Sequence, residues 1–229
     1  MTAAPTRRER HRTATLNEIK QTARRLVVEH GPTAISLRAI ARELGMSAAA
    51  LYRYFPSLEA LVAAVCYDVY DELCAAAVAA GADATSAGAR LIAMAHGFRR
   101  WSVAHPAEFS LLFGTPVPGV AEMEDGCESP DHPAARFGAV FMAPFGELWR
   151  ELDLPAEHDA ELAQRLAPMI STHGEALPPA AMYAFLSGWA RLYGVVALEV
   201  FGHLRWALTD VEPLFEAELT AFIRQLAVG

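Results

Sequence analysis

Apolar positions recur with the helical period along almost the whole chain, and no useful stretch alternates with the period of a strand. Leu16, Ile19, Ala23, Leu26, Val27 and His30 mark a first stripe, which Gly31-Pro32 ends. Ser36 stands where it can cap a second helix, with Leu37, Ile40, Ala41 and Leu44 inward and Gly45 closing it. Ser47 can cap a third, and Pro56 pushes Phe55 out of helical geometry. From Ser57 a long helix presents Leu58, Leu61, Val62, Val65, Val69 and Leu73 and ends near Gly81. Glu59 occupies its first turn, where a carboxylate suits the helix dipole.

Beyond Gly81, a stripe of Leu91, Met94, Phe98 and Trp101 stops before Pro106, and a short helix is expected as far as Phe113. The stretch GTPVPGVAEMEDGCESPDHP, from Gly114 to Pro133, carries no stripe and predicts a flexible loop, with a lid as the alternative role. Helical patterns return from about Ala134 to Leu152 and from Ala156 to Ile170. Pro178-Pro179 opens another helix to about Leu204, and Pro213 opens the last, with Phe215, Leu219, Phe222 and Leu226 inward. The prediction is an all-α chain without repeats: three short helices, then about six longer ones.

The segment LRAIARELGMSAAALYRYFPS, Leu37 to Ser57, has a spacing with its own geometric meaning. Two helices that cross steeply through a short turn need a small residue where their backbones approach. They also need a glycine where the chain turns left-handed, and apolar residues that lock the second helix on the first. Ala41, Gly45 and Leu51 meet these needs, with Ile40, Leu44, Met46 and Tyr54 filling the other inward positions. That is a helix-turn-helix. Its outward face then holds Ser47, Ala48, Ala49, Tyr52 and Arg53.

Charge changes the picture more than composition does. The chain of 229 residues has a net charge of −8, yet residues 1–56 carry ten Lys/Arg against four Asp/Glu, a net +6. The remainder carries nine against 23, a net −14. A basic head on an acidic body points to a polyanion at the head. Small side chains allow a helix to approach a major groove about 12 Å wide, while Tyr52 and Arg53 reach phosphates or a guanine edge. Arg7, Arg8, Arg10 and Arg12 precede the first stripe and are expected to form a disordered arm that lies along phosphates or enters a minor groove. Ser36 and Arg38 open the second helix, where backbone amides and charge suit a phosphate.

The stretch TARRLVVEHGPTAISLRAIARELGMSAAALYRYFPSLEALVAAV, within about Leu16 to Val65, resembles the DNA-binding head of the TetR/AcrR family of bacterial transcription regulators. LYRYFPSLEAL is its most specific part. GWARLYGVVALEVFGHL, Gly188 to Leu204, resembles the WHG-type C-terminal domain of that family. The resemblance implies residues 1–56 as arm and DNA-binding domain and residues 57–229 as a helical effector-binding and dimerisation domain. It also implies a cytoplasmic homodimer on a palindromic double-stranded operator, its two heads spaced to meet successive turns of the duplex. A small-molecule effector that releases DNA, and repression as the usual outcome, complete the expectation. The implied DNA-binding set is Arg12, Ser36, Arg38, Ser47, Ala48, Ala49, Tyr52, Arg53 and Tyr54. At Leu58 the chain departs from a lysine that the family often places on a phosphate, and its three alanines replace residues that are often polar. Specificity is then expected to lean on DNA shape, Arg53 and the arm.

The body is rich in aromatic residues and methionine at core spacing. Met94, Trp101, Phe113, Phe141, Phe145, Phe185, Trp189 and Tyr193 are candidates to line an apolar effector pocket, with His96 and His173 as polar handles. Gly194 and Gly202, eight apart with Leu198 between them, suggest a close helix–helix approach within the subunit or across a dimer formed by the last two helices. Cys66, Cys74 and Cys127 lack metal spacing and read as reduced thiols. No metal, cofactor or membrane partner is expected: no phosphate loop, HExxH, GxSxG or CxxC pair occurs, and no charge-free apolar run reaches 18 residues. The competing classes are an architectural DNA binder without effector and a helical small-molecule enzyme.

Overall fold

The computed structural model describes residues 6–31, 35–114, 133–154, 161, 164–165 and 177–228. Among these residues the regular elements are all helices: α1 (Arg7–His30), α2 (Leu37–Glu43), α3 (Ala48–Tyr52), α4 (Leu58–Ala80), α5 (Ala87–Ala104), α6 (Pro106–Phe113), α7 (Pro133–Glu151), α8 (Pro179–Val200) and α9 (Glu212–Val228). Most of the helix expected at 156–170, most of the 114–133 loop, His173 and Cys127 lie outside the described residues; residues 161 and 164–165 of that stretch are helical. The chain divides into two compact units, Met1–Val69 with Ala107–Asp125, and Tyr70–Pro106 with Gly126–Gly229. The divide falls within α4.

In the first unit, Ile19, Ala23 and Val27 of α1, Ile40 and Ala41 of α2, Leu51 of α3 and Leu61, Val62 and Val65 of α4 form the buried core. Phe55 is buried after α3, as the break before Pro56 predicts. Ion pairs fasten the outside of this core. Lys20 reaches Asp68 at 2.6 Å, Arg24 reaches the buried Glu108 at 3.1 Å, and Arg25 pairs with Glu29 and Glu43.

Gly45 carries the turn between α2 and α3. Its φ of +61° lets its N–H donate to the Arg42 carbonyl at 3.3 Å while the Met46 N–H donates to Ala41 at 2.8 Å. This is the left-handed closure that glycine makes at least cost. Gly202 closes α8 in the same way, with φ +70°, its N–H on Glu199 and the His203 N–H on Leu198. The expectation of one helix running to Leu204 and containing both glycines is thus corrected: α8 ends at Val200 because its terminal carbonyls are taken by this closure. Gly194 remains inside α8, but among the described residues nothing lies within 4 Å of where a Cβ would stand.

A second correction concerns the arm. Residues from Arg7 onward belong to α1, not to a disordered leader. Thr6 caps the helix through a reciprocal pair: the Glu9 N–H donates to the Thr6 hydroxyl at 3.2 Å, and the Thr6 N–H donates to the Glu9 carboxylate at 2.6 Å. These bonds, the backbone one foremost, hold the Glu9 carboxyl below its ordinary range. The carboxylate half of the cap is therefore in place at neutral pH and weakens as acid protonates Glu9, whereas the Glu9 N–H bond to the Thr6 hydroxyl does not depend on that proton.

In the second unit, α5, α7, α8 and α9 pack around an aromatic lattice. Phe98, Phe137 and Trp189 form a triangle with centroids 5.4–5.8 Å apart, and Phe145 meets Phe185 edge-on at 5.5 Å. Arg99 of α5 binds both oxygens of Glu199 near the end of α8, at 2.8 and 2.7 Å, and reaches Glu212 at the start of α9 at 3.3 Å. The Glu199 bonds, ahead of the opposing effect of burial, push the Arg99 pKa up.

Candidate nucleic-acid interface and apolar cavity

The outward face of the helix-turn-helix is built as its spacing predicts. Leu51 is wholly buried, which turns Ser47, Ala48, Ala49, Tyr52 and Arg53 to solvent, Tyr52 with 52% of its surface exposed. The Ser47 hydroxyl accepts the Ala50 N–H at 3.2 Å, and the Ser36 hydroxyl accepts the Ala39 N–H at 3.0 Å. Each serine therefore fixes the start of its helix and keeps only its hydroxyl hydrogen for a phosphate. Arg38 is exposed on the first turn of α2. Tyr54 is half-buried, and the Arg12 guanidinium lies over its ring, 5.4 Å from the centroid.

Arg12, Arg53 and Tyr54 line one concave surface together with Arg7, Arg8 and His11. The charges of the head are thus sorted. Lys20, Arg24 and Arg25 are spent on Asp68, Glu108, Glu29 and Glu43. Among the described residues, Arg7, Arg8, Arg12 and Arg53 have no carboxylate partner. His11 carried no sequence signal of its own, since it becomes a neighbour of Arg53 only through α1 being helical this far back.

The second unit holds a cavity of about 210 Å³. Its walls are Gly88, Leu91, Ile92, Ala95 and Phe98 from α5, with Phe141, Phe145 and Leu148 from α7 and Leu152 just beyond it. Phe185, Gly188, Trp189 and Leu192 of α8 and Leu219, Phe222, Ile223 and Leu226 of α9 complete them. No charged side chain contributes. Of the residues the sequence nominates, Phe141, Phe145, Phe185 and Trp189 line this space. Met94 and Trp101 are buried on α5 away from it, Trp101 stacked on His105 at 4.8 Å. Phe113 belongs to the first unit and packs on Phe109 at 4.9 Å. Tyr193 stacks on Trp189 at 5.4 Å without reaching the cavity, and burial raises its phenol pKa. His96 faces Glu216 at 3.4 Å and Phe215 edge-on, not the cavity. The wall residues not nominated are mostly leucines and glycines, whose pattern marks a core side but not an unfilled part of it.

Gly188 shapes one wall. A Cβ there would stand 2.7 and 2.8 Å from two ring carbons of Phe222. In a Gly188→Ala protein the Phe222 ring is expected to swing into the adjoining space. Stability should fall by only about 1 kcal/mol, while a dye that fluoresces in apolar cavities loses its site. An unchanged dye signal would contradict this.

Residues 19–65 match the family model described as bacterial regulatory proteins, tetR family, and residues 91–222 match the tetracyclin repressor-like C-terminal domain. The chain is 33% identical to the HTH-type transcriptional regulator Rv1816 of Mycobacterium tuberculosis, over 92% of this chain and 91% of that protein. Its fold is similar to the crystal structure of the regulatory protein SCO4313, at TM-score 0.74 and 33% identity, covering 95% of this chain and 98% of that one. A tetR family transcription regulator from Shewanella sp. PV-4 shares the fold at TM-score 0.56 and 17% identity, over 92% and 95% of the two chains.

Proposed function

The chain belongs to the TetR family of bacterial regulatory proteins, and on that premise we propose that it is a repressor released from its operator by a small, neutral, apolar molecule. Membership makes it a DNA-binding transcriptional regulator and not an enzyme. The operator-binding residues are Arg12, Arg38, Tyr52, Arg53 and Tyr54, with Ser36, Ser47, Ala48 and Ala49 setting how closely the helices approach the duplex. The observation that carries the effector reading is the cavity: about 210 Å³ walled by Leu, Ile, Phe, Trp, Ala and Gly. An apolar cavity of about 150 Å³ already takes benzene, so this one has room for an alkylbenzene or a short hydrocarbon chain. A carboxylate inside it would lack a partner at a cost of several kcal/mol.

The protein acts as a homodimer through α8 and α9, on a palindromic site in the cytoplasm. Support comes from α8, which is long and apolar enough to cross a membrane although only 28% of that stretch is buried within this chain. Tyr183, Leu198 and Phe201 on or next to it and Ile223 on α9 are exposed, and Gly194 is open to close approach. A second copy covers such a face.

The test uses the purified protein with a genomic fragment that it selects, and two series of ligands. Neutral alkylbenzenes at about a hundred times their Kd should stabilise the protein by about 2.7 kcal/mol and lower its affinity for the fragment. The matching carboxylates should do neither. Equal responses to both series, or stabilisation without release of DNA, would defeat the proposal.

A further inference from the structure

We propose that the first two turns of α1, seated beside the end of α3, form a rigid clamp for the sugar–phosphate backbone of duplex DNA beside the groove that α3 enters, and that the α1 arginines of this clamp read no bases. The inference rests on the head being the DNA-binding unit and goes beyond it by assigning a second contact with its own chemistry. Arg7, Arg8, His11 and Arg12 stand at helical positions i, i+1, i+4 and i+5, so they share one side of α1. Arg53 and Tyr54 complete the same concave surface from the end of α3, with Arg12 held over the Tyr54 ring. Among the described residues no carboxylate neutralises the four arginines, although carboxylates meet Lys20, Arg24 and Arg25 farther along α1. Four guanidinium charges are gathered here without a carboxylate partner among the described residues, which suits a polyanion.

Helicity decides which part of the duplex the clamp meets. An extended arginine arm fits a minor groove, but a helix with its side chains is about 10–12 Å across and B-DNA's minor groove about 6 Å wide. The Thr6–Glu9 cap holds these residues helical, so they stay outside that groove, against phosphates. Phosphate contacts set register and strength without sequence information. Because α3 spans only Ala48–Tyr52, cations at its end lie within one short helix length of the groove rim.

The test measures affinity of the full-length protein for two duplexes: a genomic fragment selected by the unsubstituted protein, and a scrambled duplex of equal length. R7A/R8A should weaken binding to both by the same factor, about tenfold or more at 0.1 M salt. The slope of log affinity against log salt should become shallower by about 3.6, near 0.9 for each of the four phosphates given up by two arginines in both subunits of the proposed dimer. Melting should not move. Thr6→Ala removes no charge but loosens the cap, and should weaken both duplexes two- to threefold. Unchanged affinity and slope in R7A/R8A would overturn the clamp. So would a loss confined to the selected fragment that disappears when its flanking A·T pairs become G·C, since that is minor-groove reading. In either case selective binding by the unsubstituted protein would leave the DNA-binding assignment standing.

Discussion

Replacing Arg99 with alanine is expected to lower the melting temperature by about 10 °C without touching any surface that meets DNA. The Arg99 side chain is 11% exposed and that of Glu199 14%, and the guanidinium grips both carboxylate oxygens while lying over the Phe215 ring at 5.6 Å. Removing one partner of a buried pair leaves the other charged without compensation, which costs about 3–5 kcal/mol. For a chain of this length each kcal/mol corresponds to about 2–4 °C. The Glu212 contact contributes little, because that side chain is 61% exposed. Charge explains the loss only if it can be reversed by removing the orphan. Adding Glu199→Leu to Arg99→Ala should therefore recover a large part of the stability. A melting temperature within a degree of the original in the single variant would show that solvent reaches Glu199 freely.

Arg53→Ala should have the opposite profile. Arg53 is exposed at the end of α3, and its backbone N–H still bonds the Ala50 carbonyl at 3.3 Å whatever the side chain. Melting and oligomeric state should be unchanged, while affinity for a selected fragment falls about tenfold to a hundredfold, the range for losing a bidentate contact to a guanine edge. The loss on a scrambled duplex should be smaller, since only a phosphate contact is then forfeited. A parallel drop in melting would make Arg53 structural; equal losses on both duplexes would place it on phosphate alone.

The helix-turn-helix was legible because its requirements are local. A left-handed closure asks for glycine at position 45, a close crossing asks for a small residue at 41, and both are chemical properties of single residues. The start of α1 was not legible from apolar periodicity, since nothing apolar recurs before Leu16 and its helicity comes from Thr6 and Glu9 bonding each other. The end of α8 was misread for a related reason: the apolar period continues past Val200, but Gly202 draws the last carbonyls into a turn. The body was legible as a core and not as a container. Helical periodicity says that Met94, Trp101 and Phe141 all point inward. Which of them touch one another and which face empty space depends on how four helices meet, and no single stripe records that.

The hydrocarbon walls around the space beside Trp189 have a consequence for what the proposed effector site can tell apart. With the Trp189 indole N–H the one side-chain donor among the described wall residues, a guest is ranked mainly by bulk and shape: each methylene accommodated adds about 0.8 kcal/mol, a factor of about four, until the volume is full. An added hydroxyl is penalised only modestly by comparison with a site built to bond one. Transcription under such control would rise stepwise along a homologous series and answer a whole chemical class, with chain length rather than functional group setting the threshold.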